Sequence, residues 1–220
     1  MDGDKEVKRP PLGSRGQCSK VLAVLKAAGE VFCRDGFAGA SIDLIASEAG
    51  VSRQTIYNHY GDKERLFLAV LRDMIERSAA DLFTLIATFP ERPRDLEAEL
   101  TDFAARYIRS CVCNRRTASL RKMIQREAER FPELFATWRE NGPGKAAGTL
   151  AACLARLAHS GYLHIDDPDL AARQFIALVG ADFQGSCLVD ESRPEEEIRA
   201  SAAAAVRTFL RAFIPAEGAG

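Results

Sequence analysis

The sequence contains no apolar run that approaches the roughly 18 residues needed to cross a bilayer. No apolar segment follows the basic residues Lys5, Lys8 and Arg9, so a secretory signal is not predicted and we expect a cytoplasmic protein without a membrane partner. The six cysteines form no CxxC pair and no Cys/His cluster with metal-ligand spacing, which predicts free thiols and no bound metal. Nucleophile motifs and phosphate-binding loops are missing as well, so we predict no catalytic residue, no cofactor and no enzyme activity.

Long alternating runs rich in β-branched residues, which are typical of strands, are also missing. Apolar residues instead recur with the period of a helix from about residue 18 almost to the C-terminus, which predicts an all-α fold. The glycines at 36, 50 and 61 are expected to end the first three helices. About nine helices are predicted, over residues 18–35, 42–49, 52–60, 62–88, 94–113, 116–130 with a short extension through Trp138, 143–160, 168–187 and 194–213.

Residues 41–60 carry the most informative pattern in the chain. A helix-turn-helix needs a small residue where two helices touch, a glycine at the tight turn, and a branched apolar residue that anchors the second helix. Ala46, Gly50 and Ile56 meet these needs at offsets of four and six residues. Ser41 and Ser52 are suited to cap the two helices. The spacing therefore predicts a helix-turn-helix that binds double-stranded DNA.

The exposed side of the second helix is predicted to present Arg53, Gln54, Thr55, Asn58 and His59. Arginine suits the O6 and N7 atoms of guanine, the amide side chains suit adenine, and threonine can touch a thymine methyl group. A solvated helical hairpin would also expose these polar residues. The absence of acidic residues from 51–60, and the basic segment 7–29 before the motif, favour DNA.

The segment from about Val21 to Leu71 resembles the DNA-binding domain of the TetR family of bacterial transcriptional regulators. The positions that match the family's pattern are Gly36-Phe37, Ser41, Ile45-Ala46, Ala49-Gly50-Val51-Ser52, Ile56-Tyr57, His59-Tyr60, Lys63 and Leu66. Two departures are mild, since Ser41 stands where threonine is commoner and Tyr60 where phenylalanine is commoner.

The resemblance implies DNA contacts for nine residues. Arg53, Gln54, Thr55 and Asn58 would read most of the bases, and Ser52 would cap the helix that carries them. Ser41, Tyr57, His59 and Lys63 would contact the phosphate backbone, with Lys63 at a helix N-terminus that already favours anions.

These expectations divide the chain into four parts. Residues 1–17 are interpreted as a disordered basic arm, because they are rich in proline, glycine and charge. Residues 18–62 would form the DNA-binding domain and residues 63–215 a ligand-sensing and dimerisation domain, followed by a flexible tail at 216–220. The long fourth helix would join the two domains.

The resemblance implies that the last two helices pair with their copies in a homodimer. The residues predicted for that interface are Leu170, Phe175, Leu178 and Val179 with the small Ala171, Ala177, Gly180 and Ala181 on one helix, and Ile198, Ala202, Ala205, Val206, Phe209 and Phe213 on the other. A core within one subunit would satisfy the same pattern. Two reading helices about 34–36 Å apart are needed for a palindromic operator, which favours the dimer.

The resemblance also implies a small-molecule effector bound among the middle helices. Aromatic and apolar residues there predict an apolar or aromatic ligand. Ile124–Trp138 resembles a segment of the multidrug-efflux-regulator branch, whose members bind lipophilic compounds. The residues predicted to line the site are Phe83, Phe103, Tyr107, Met123, Phe135, Trp138 and Phe183.

Three alternatives remain open at this stage. One helix is strongly basic, and one of its arginines could turn inward toward an acidic ligand, although a solvated face is the simpler interpretation. Its basic residues are Arg115, Arg116, Arg121, Lys122, Arg126 and Arg130. Cys111 and Cys113 suggest a redox-responsive regulator, but residues i and i+2 of a helix point about 200° apart and do not readily form a disulfide. A helical enzyme that uses the cavity is the third alternative.

Overall fold

The structure, a computed structural model, describes residues 15–140, 144–183 and 193–214. These ranges contain ten α-helices, a π-helical turn and no strand, which confirms the predicted all-α fold. Within them, no helix combines the length and the apolar character that a bilayer crossing requires. The helices are α1 (Arg15–Gly39), α2 (Ile42–Ala49), α3 (Arg53–Tyr60), α4 (Lys63–Ile86), α5 (Leu96–Tyr107), α6 (Arg115–Glu127), α7 (Pro132–Arg139), α8 (Lys145–His159), α9 (Pro168–Gly180) and α10 (Glu195–Phe213), with the π-helical turn at Ile108–Val112 between α5 and α6.

Helix α1 starts earlier and ends less abruptly than predicted. It begins at Arg15, so residues 15–17 are helical and do not belong to a disordered arm. The remainder of the predicted arm and the predicted tail at 216–220 lie outside the described residues. Gly36 has φ 72° and ψ 176°, a conformation that interrupts the helix as expected, but one more turn follows before Gly39.

The predicted helix at 116–130 and its extension are two separate helices. Helix α6 ends at Glu127, and α7 begins at Pro132. Proline suits the first turn of a helix and disfavours the helical conformation of the residue before it. Phe131 accordingly has φ −129° and ψ 64°, which breaks the helix between α6 and α7. The described chain therefore has ten helices rather than about nine.

The chain forms two compact units, residues 1–73 and 74–220. In the first unit, α2 packs against α1 and α3. Three phenylalanines form the centre of its core, because the Phe67 ring contacts the Phe32 ring at 4.9 Å and the Phe37 ring at 5.1 Å between centroids. Ile45 and Ile56 are fully buried beside them. This core holds α2 and α3 in place.

In the second unit, α10 packs against α5 and α9, and α9 packs against α8. Its core is aromatic at the centre, where the Phe175 ring lies 5.1 Å from the Phe209 ring and 6.3 Å from the Phe103 ring. Helix α4 contributes residues 63–73 to the first unit and residues 74–86 to the second. The predicted domain boundary at residue 62 lies directly before this helix, eleven residues before the division between the units.

Candidate nucleic-acid interface

Helix α2 and the turn after it have the geometry that the sequence predicts. The Oγ atom of Ser41 accepts a hydrogen bond from the backbone N–H of Leu44 at 3.2 Å, which caps the helix. At the other end, Gly50 is in the left-handed region with φ 65° and ψ 34°. The Val51 N–H then donates to the Ala46 carbonyl at 3.0 Å and closes the turn. A side chain at residue 50 would be strained in this conformation, which explains why the tight turn needs glycine.

Helix α3 is capped and anchored as the second helix of the motif. The Oγ atom of Ser52 accepts from the Thr55 N–H at 3.1 Å and lies 2.9 Å from the Thr55 hydroxyl. Ile56 is 1% exposed and is the one buried residue of α3. Residues 53–60 include no aspartate or glutamate, so the outward side of α3 presents no carboxylate of its own to a phosphate backbone.

The predicted base-reading residues lie together on the outward side of α3. Arg53, Gln54 and Asn58 are exposed, and Thr55 is half-buried. The Gln54 Nε2 atom donates to Asn58 Oδ1 at 2.8 Å, one helical turn apart. Because this bond uses one donor of Gln54 and one acceptor of Asn58, the remaining polar atoms of both amides can still bond to base edges.

The residues predicted to contact phosphates differ in exposure more than the predicted base-reading residues do. Tyr57 is 40% exposed, and His59 is half-buried with its ring 6.4 Å from the ring of Tyr60. Lys63 is half-buried at the start of α4, where its Nζ atom donates to the Ala38 carbonyl at 3.3 Å. The Ser41 hydroxyl uses its oxygen to cap α2, so its hydrogen remains available to a phosphate oxygen.

An acidic residue at this surface was missed by the sequence analysis. Asp43 lies in the first turn of α2, and its Oδ1 atom is 2.7 Å from the Nε atom of Arg53. The only sequence signal for this pair is an exposed carboxylate ten positions before an exposed arginine, which is too common to be informative. Only the fold of the turn between α2 and α3 brings the two side chains together.

The residues predicted to bind an effector fall into two groups in the second unit. Phe103, Met123 and Phe183 are buried, and the Phe103 ring contacts the Phe89 ring at 4.9 Å within the core. Phe83 and Phe135 are more than one-third exposed, and the Phe135 ring lies 5.9 Å from that of Trp138. Their assignment to a ligand site stays a prediction.

A polar group lies where α5 continues into the π-helical turn. Burial raises the pKa of Tyr107, and the Tyr107 hydroxyl makes no hydrogen bond to any residue that the structure describes. Nearby, the Arg121 Nη2 atom donates to the Cys111 carbonyl at 3.3 Å. Arg121 is half-buried and forms no ion pair within the described ranges. A phenol and a guanidinium with unused hydrogen-bonding capacity are therefore close together.

The thiol chemistry of the redox alternative finds no support in this part of the chain. Burial raises the pKa of the Cys111 thiol to about 12, and the charge of Asp81 contributes in the same direction. The thiolate is the form that reacts with oxidants, so a raised pKa disfavours oxidation of this thiol at neutral pH. Among the described residues, no group of three His, Cys, Asp or Glu side chains could hold a metal ion.

A polar groove of about 400 Å³ lies elsewhere in the second unit, between the end of α4, α5 and α10. None of the seven predicted effector residues lines it. Its charged side chains are largely paired, since Arg199 contacts Asp102 at 2.6 Å and Arg109 contacts Glu195 at 2.5 Å. These pairs join residues 97 and 86 positions apart, so the sequence pattern does not indicate the groove.

Most residues predicted for a dimer interface belong to the core of the subunit instead. Phe175, Val179, Ala202, Val206 and Phe209 are all at most 1% exposed. The alternative interpretation of the pattern, a core within one subunit, is therefore correct for them. They face inward because α9 and α10 pack against each other and against α8 and α5. Leu170, by contrast, is 43% exposed.

Two family models match this chain. Residues 24–70 match the model of "Bacterial regulatory proteins, tetR family". Residues 98–215 match the model of "AefR-like transcriptional repressor, C-terminal domain". The first match covers most of α1, all of α2 and α3, and the start of α4, and the second covers the greater part of the second compact unit.

Known proteins resemble the chain at both the sequence and the fold level. An HTH-type transcriptional repressor of Streptomyces coelicolor is 42% identical over 74 residues, which are 34% of this chain and 35% of that protein. The alignment thus spans about a third of the curated relative. A regulator structure from Mesorhizobium loti has a TM-score of 0.81 at 26% identity, over 92% of this chain and 100% of the other. The Flavonoid-responsive Regulator FrrA has a TM-score of 0.66 at 31% identity, over 90% and 98%.

Proposed function

Because this chain belongs to the TetR family of bacterial transcriptional regulators, we propose that it is a repressor whose dimer binds a palindromic operator and is released by a small molecule. The observation that carries the DNA-binding part is the outward side of α3. A capped helix, held by the buried Ile56 and preceded by the left-handed Gly50, presents Arg53, Gln54 and Asn58 without any acidic residue of its own.

The DNA-binding part is tested with the full-length protein and duplexes that cover the region upstream of its own gene. We expect one duplex to bind at nanomolar concentration in a mobility-shift assay, and a shuffled duplex of the same composition to bind at least a thousandfold more weakly. Binding should weaken steeply as salt rises, because phosphate contacts release counterions. Equal affinity for both duplexes would contradict operator recognition.

A matched pair of variants links that binding to α3. Tyr57→Ala removes an exposed ring that touches none of the core phenylalanines, so we expect lost operator binding and an unchanged thermal midpoint. Arg72→Ala is the control, because Arg72 is an exposed basic residue of the same unit that lies outside the motif. Loss of binding in both variants would mean that the effect is not specific to α3.

The effector is proposed to be a largely apolar, flat aromatic molecule with at least one hydroxyl or carboxyl group. The structural relative named as flavonoid-responsive is similar over most of its length, which supports an aromatic class. The exposed rings of Phe83 and Phe135 offer apolar surface. Tyr107 and Arg121 supply unused hydrogen-bonding groups for a polar substituent.

The proposed response is a shift between two populations of the dimer. One population holds its two α3 helices at the spacing of successive major grooves, about 34–36 Å apart, and the other does not. An effector that binds the second population more tightly lowers operator affinity by its differential affinity for the two states. Helix α4 belongs to both units and is the element that we propose carries the change. The regulator would act in the cytoplasm, where the operator is, and would carry out no enzymatic reaction.

A further inference from the structure

The contact between Asp43 and Arg53 lies on the same outward surface as the base-reading side chains. Asp43 is the second residue of α2, and Arg53 is the first residue of α3. Their side chains are 62% and 60% exposed, and 2.7 Å separates Asp43 Oδ1 from Arg53 Nε. Neither residue takes part in the core, so the pair is not needed to fill space in the domain.

The contact restricts the guanidinium group of Arg53 without using all of it. Arginine has five N–H donors on three nitrogen atoms, and the closest approach of the Asp43 carboxylate is to the Nε atom. A paired contact with guanine O6 and N7 would then use the terminal nitrogens of the guanidinium. An unrestrained arginine loses rotamer freedom when it is fixed, so a side chain held before binding loses less.

From this geometry we infer that Asp43 is a positioning residue, which makes Arg53 selective for guanine at one base pair of each operator half-site. The inference rests on the proposed DNA-binding function of α3. It also predicts two effects of opposite sign. The carboxylate should weaken attraction to the phosphate backbone for every sequence, while it strengthens discrimination at the base pair that Arg53 reads.

A purely structural role for Asp43 would have different consequences. An acidic residue in the first turn of α2 interacts favourably with the helix dipole. Loss of that interaction would lower thermal stability and weaken binding to all sequences together. Glu48 provides a matched control, because it is another acidic residue of α2 whose partner, Arg34, lies on α1 at 3.1 Å and outside the motif.

The experiment selects binding sites from a library of randomised 30-base-pair duplexes with the full-length wild type, Asp43→Asn, Glu48→Gln and Arg53→Ala. Arg53→Ala identifies the base pair that Arg53 reads. At that position we expect Asp43→Asn to reduce the preference for guanine by about three- to tenfold, a fraction of the discrimination of a full bidentate contact. Its affinity for a shuffled duplex should be equal to or higher than that of the wild type. Glu48→Gln should keep the preference.

A double variant completes the test. Asp43→Asn should change nothing further at this base pair when Arg53→Ala is already present, because the two substitutions act through one contact. The inference is overturned if Asp43→Asn keeps the wild-type preference, or if it weakens all positions together with the thermal midpoint. A wild type that enriches no sequence would refute the proposed function and this inference with it. Failure of the inference alone therefore requires an enriched wild-type operator.

Discussion

The Nζ atom of Lys63 lies 4.8 Å from the centroid of the Phe37 ring and donates a hydrogen bond to the carbonyl oxygen of Ala38. The lysine thus connects the start of α4 with the last residues of α1. An ammonium group has three donors, and this hydrogen bond uses one of them. The remaining donors can make the predicted phosphate contact. The attraction of the ammonium group to the Phe37 ring would hold the lysine in position for that contact.

Replacing Lys63 with methionine tests that phosphate contact. Methionine keeps much of the apolar side chain over Phe37 but has no charge, so we expect operator affinity to fall by about three- to tenfold. The slope of log affinity against log salt should become shallower by about 0.9, the value for one lost phosphate contact. Lys63→Arg, which keeps the charge, is the control and should keep the wild-type slope. An unchanged slope in Lys63→Met would mean that Lys63 serves only the fold.

Tyr60 gives a prediction about stability. Its hydroxyl is buried and has no hydrogen-bond partner among the described residues, and burial raises the pKa of Tyr60 to about 12. A buried hydroxyl without a partner destabilises a protein by about 1–3 kcal/mol. We therefore expect Tyr60→Phe to raise the free energy of unfolding by about 1 kcal/mol, measured by urea denaturation at pH 7. Tyr57→Phe, at an exposed ring, should leave it unchanged.

The same residue predicts a dependence on pH. The pKa of Tyr60 is higher in the folded protein than the value near 10 of an unfolded chain. Folding therefore favours the protonated phenol, and the free energy of unfolding is not lowered by ionisation of this group below about pH 10. The free energy of unfolding falls as pH rises from about 10 to 12, because the unfolded chain loses the phenol proton first. Between pH 9 and 10.5 the wild type should lose more stability than Tyr60→Phe, and parallel curves would contradict the assignment.

Much of the first unit could be predicted from the sequence because its signals are local. Ser41, Gly50 and Ser52 act on neighbouring backbone atoms, and each has the capping or turn geometry that its residue type favours. Ile56 is buried at its expected position. These effects need no knowledge of distant residues. The exposed row of α3 follows from them, because the buried face of an eight-residue helix determines the other face.

The errors arose where distant residues decide the outcome. Phe175 and Phe209 have the spacing of an exposed apolar stripe, but α5 and α8 cover α9 and α10 within one subunit. A periodic pattern marks a face as apolar and does not identify what covers it. Pro132 is the exception, since the break before it could have been read from its missing N–H. The Asp43–Arg53 pair depends on the turn geometry and could not.

Tyr107 and Arg121 predict how the effector response should fail. A hydroxyflavone has an aromatic body and a phenol, and its methyl ether lacks the acidic hydrogen. We expect the hydroxyflavone to raise the thermal midpoint of the wild type and to release the operator duplex. Tyr107→Phe and Arg121→Met should each weaken the response about tenfold, the effect of one lost hydrogen bond to a charged or acidic group. Operator affinity without the compound should be unchanged.

Two comparisons make the effector experiment specific. The methyl ether should act on the wild type about as weakly as the hydroxyflavone acts on Arg121→Met. In the first case the ligand lacks the hydroxyl hydrogen of the contact, and in the second case the protein lacks the guanidinium. Arg126→Met is the control, since Arg126 is an exposed basic residue of the same helix α6. An equal response of Arg121→Met and Arg126→Met would show that the guanidinium of Arg121 does not meet the ligand.

The outward faces of α9 and α10 predict where two copies meet. Leu170 and Ala177 are exposed on α9, Ala181 is exposed directly after it, and Ala200 and Ala204 are exposed on α10. Small exposed residues let helices of a second copy approach closely.

We expect Ala177→Glu to convert the dimer into a monomer in analytical ultracentrifugation and to lower operator affinity by at least a hundredfold. Helical content should be unchanged, because residue 177 is outside the core. Arg156→Glu, at an exposed position of α8, should remain dimeric. A dimeric Ala177→Glu with full operator affinity would place the interface on another face.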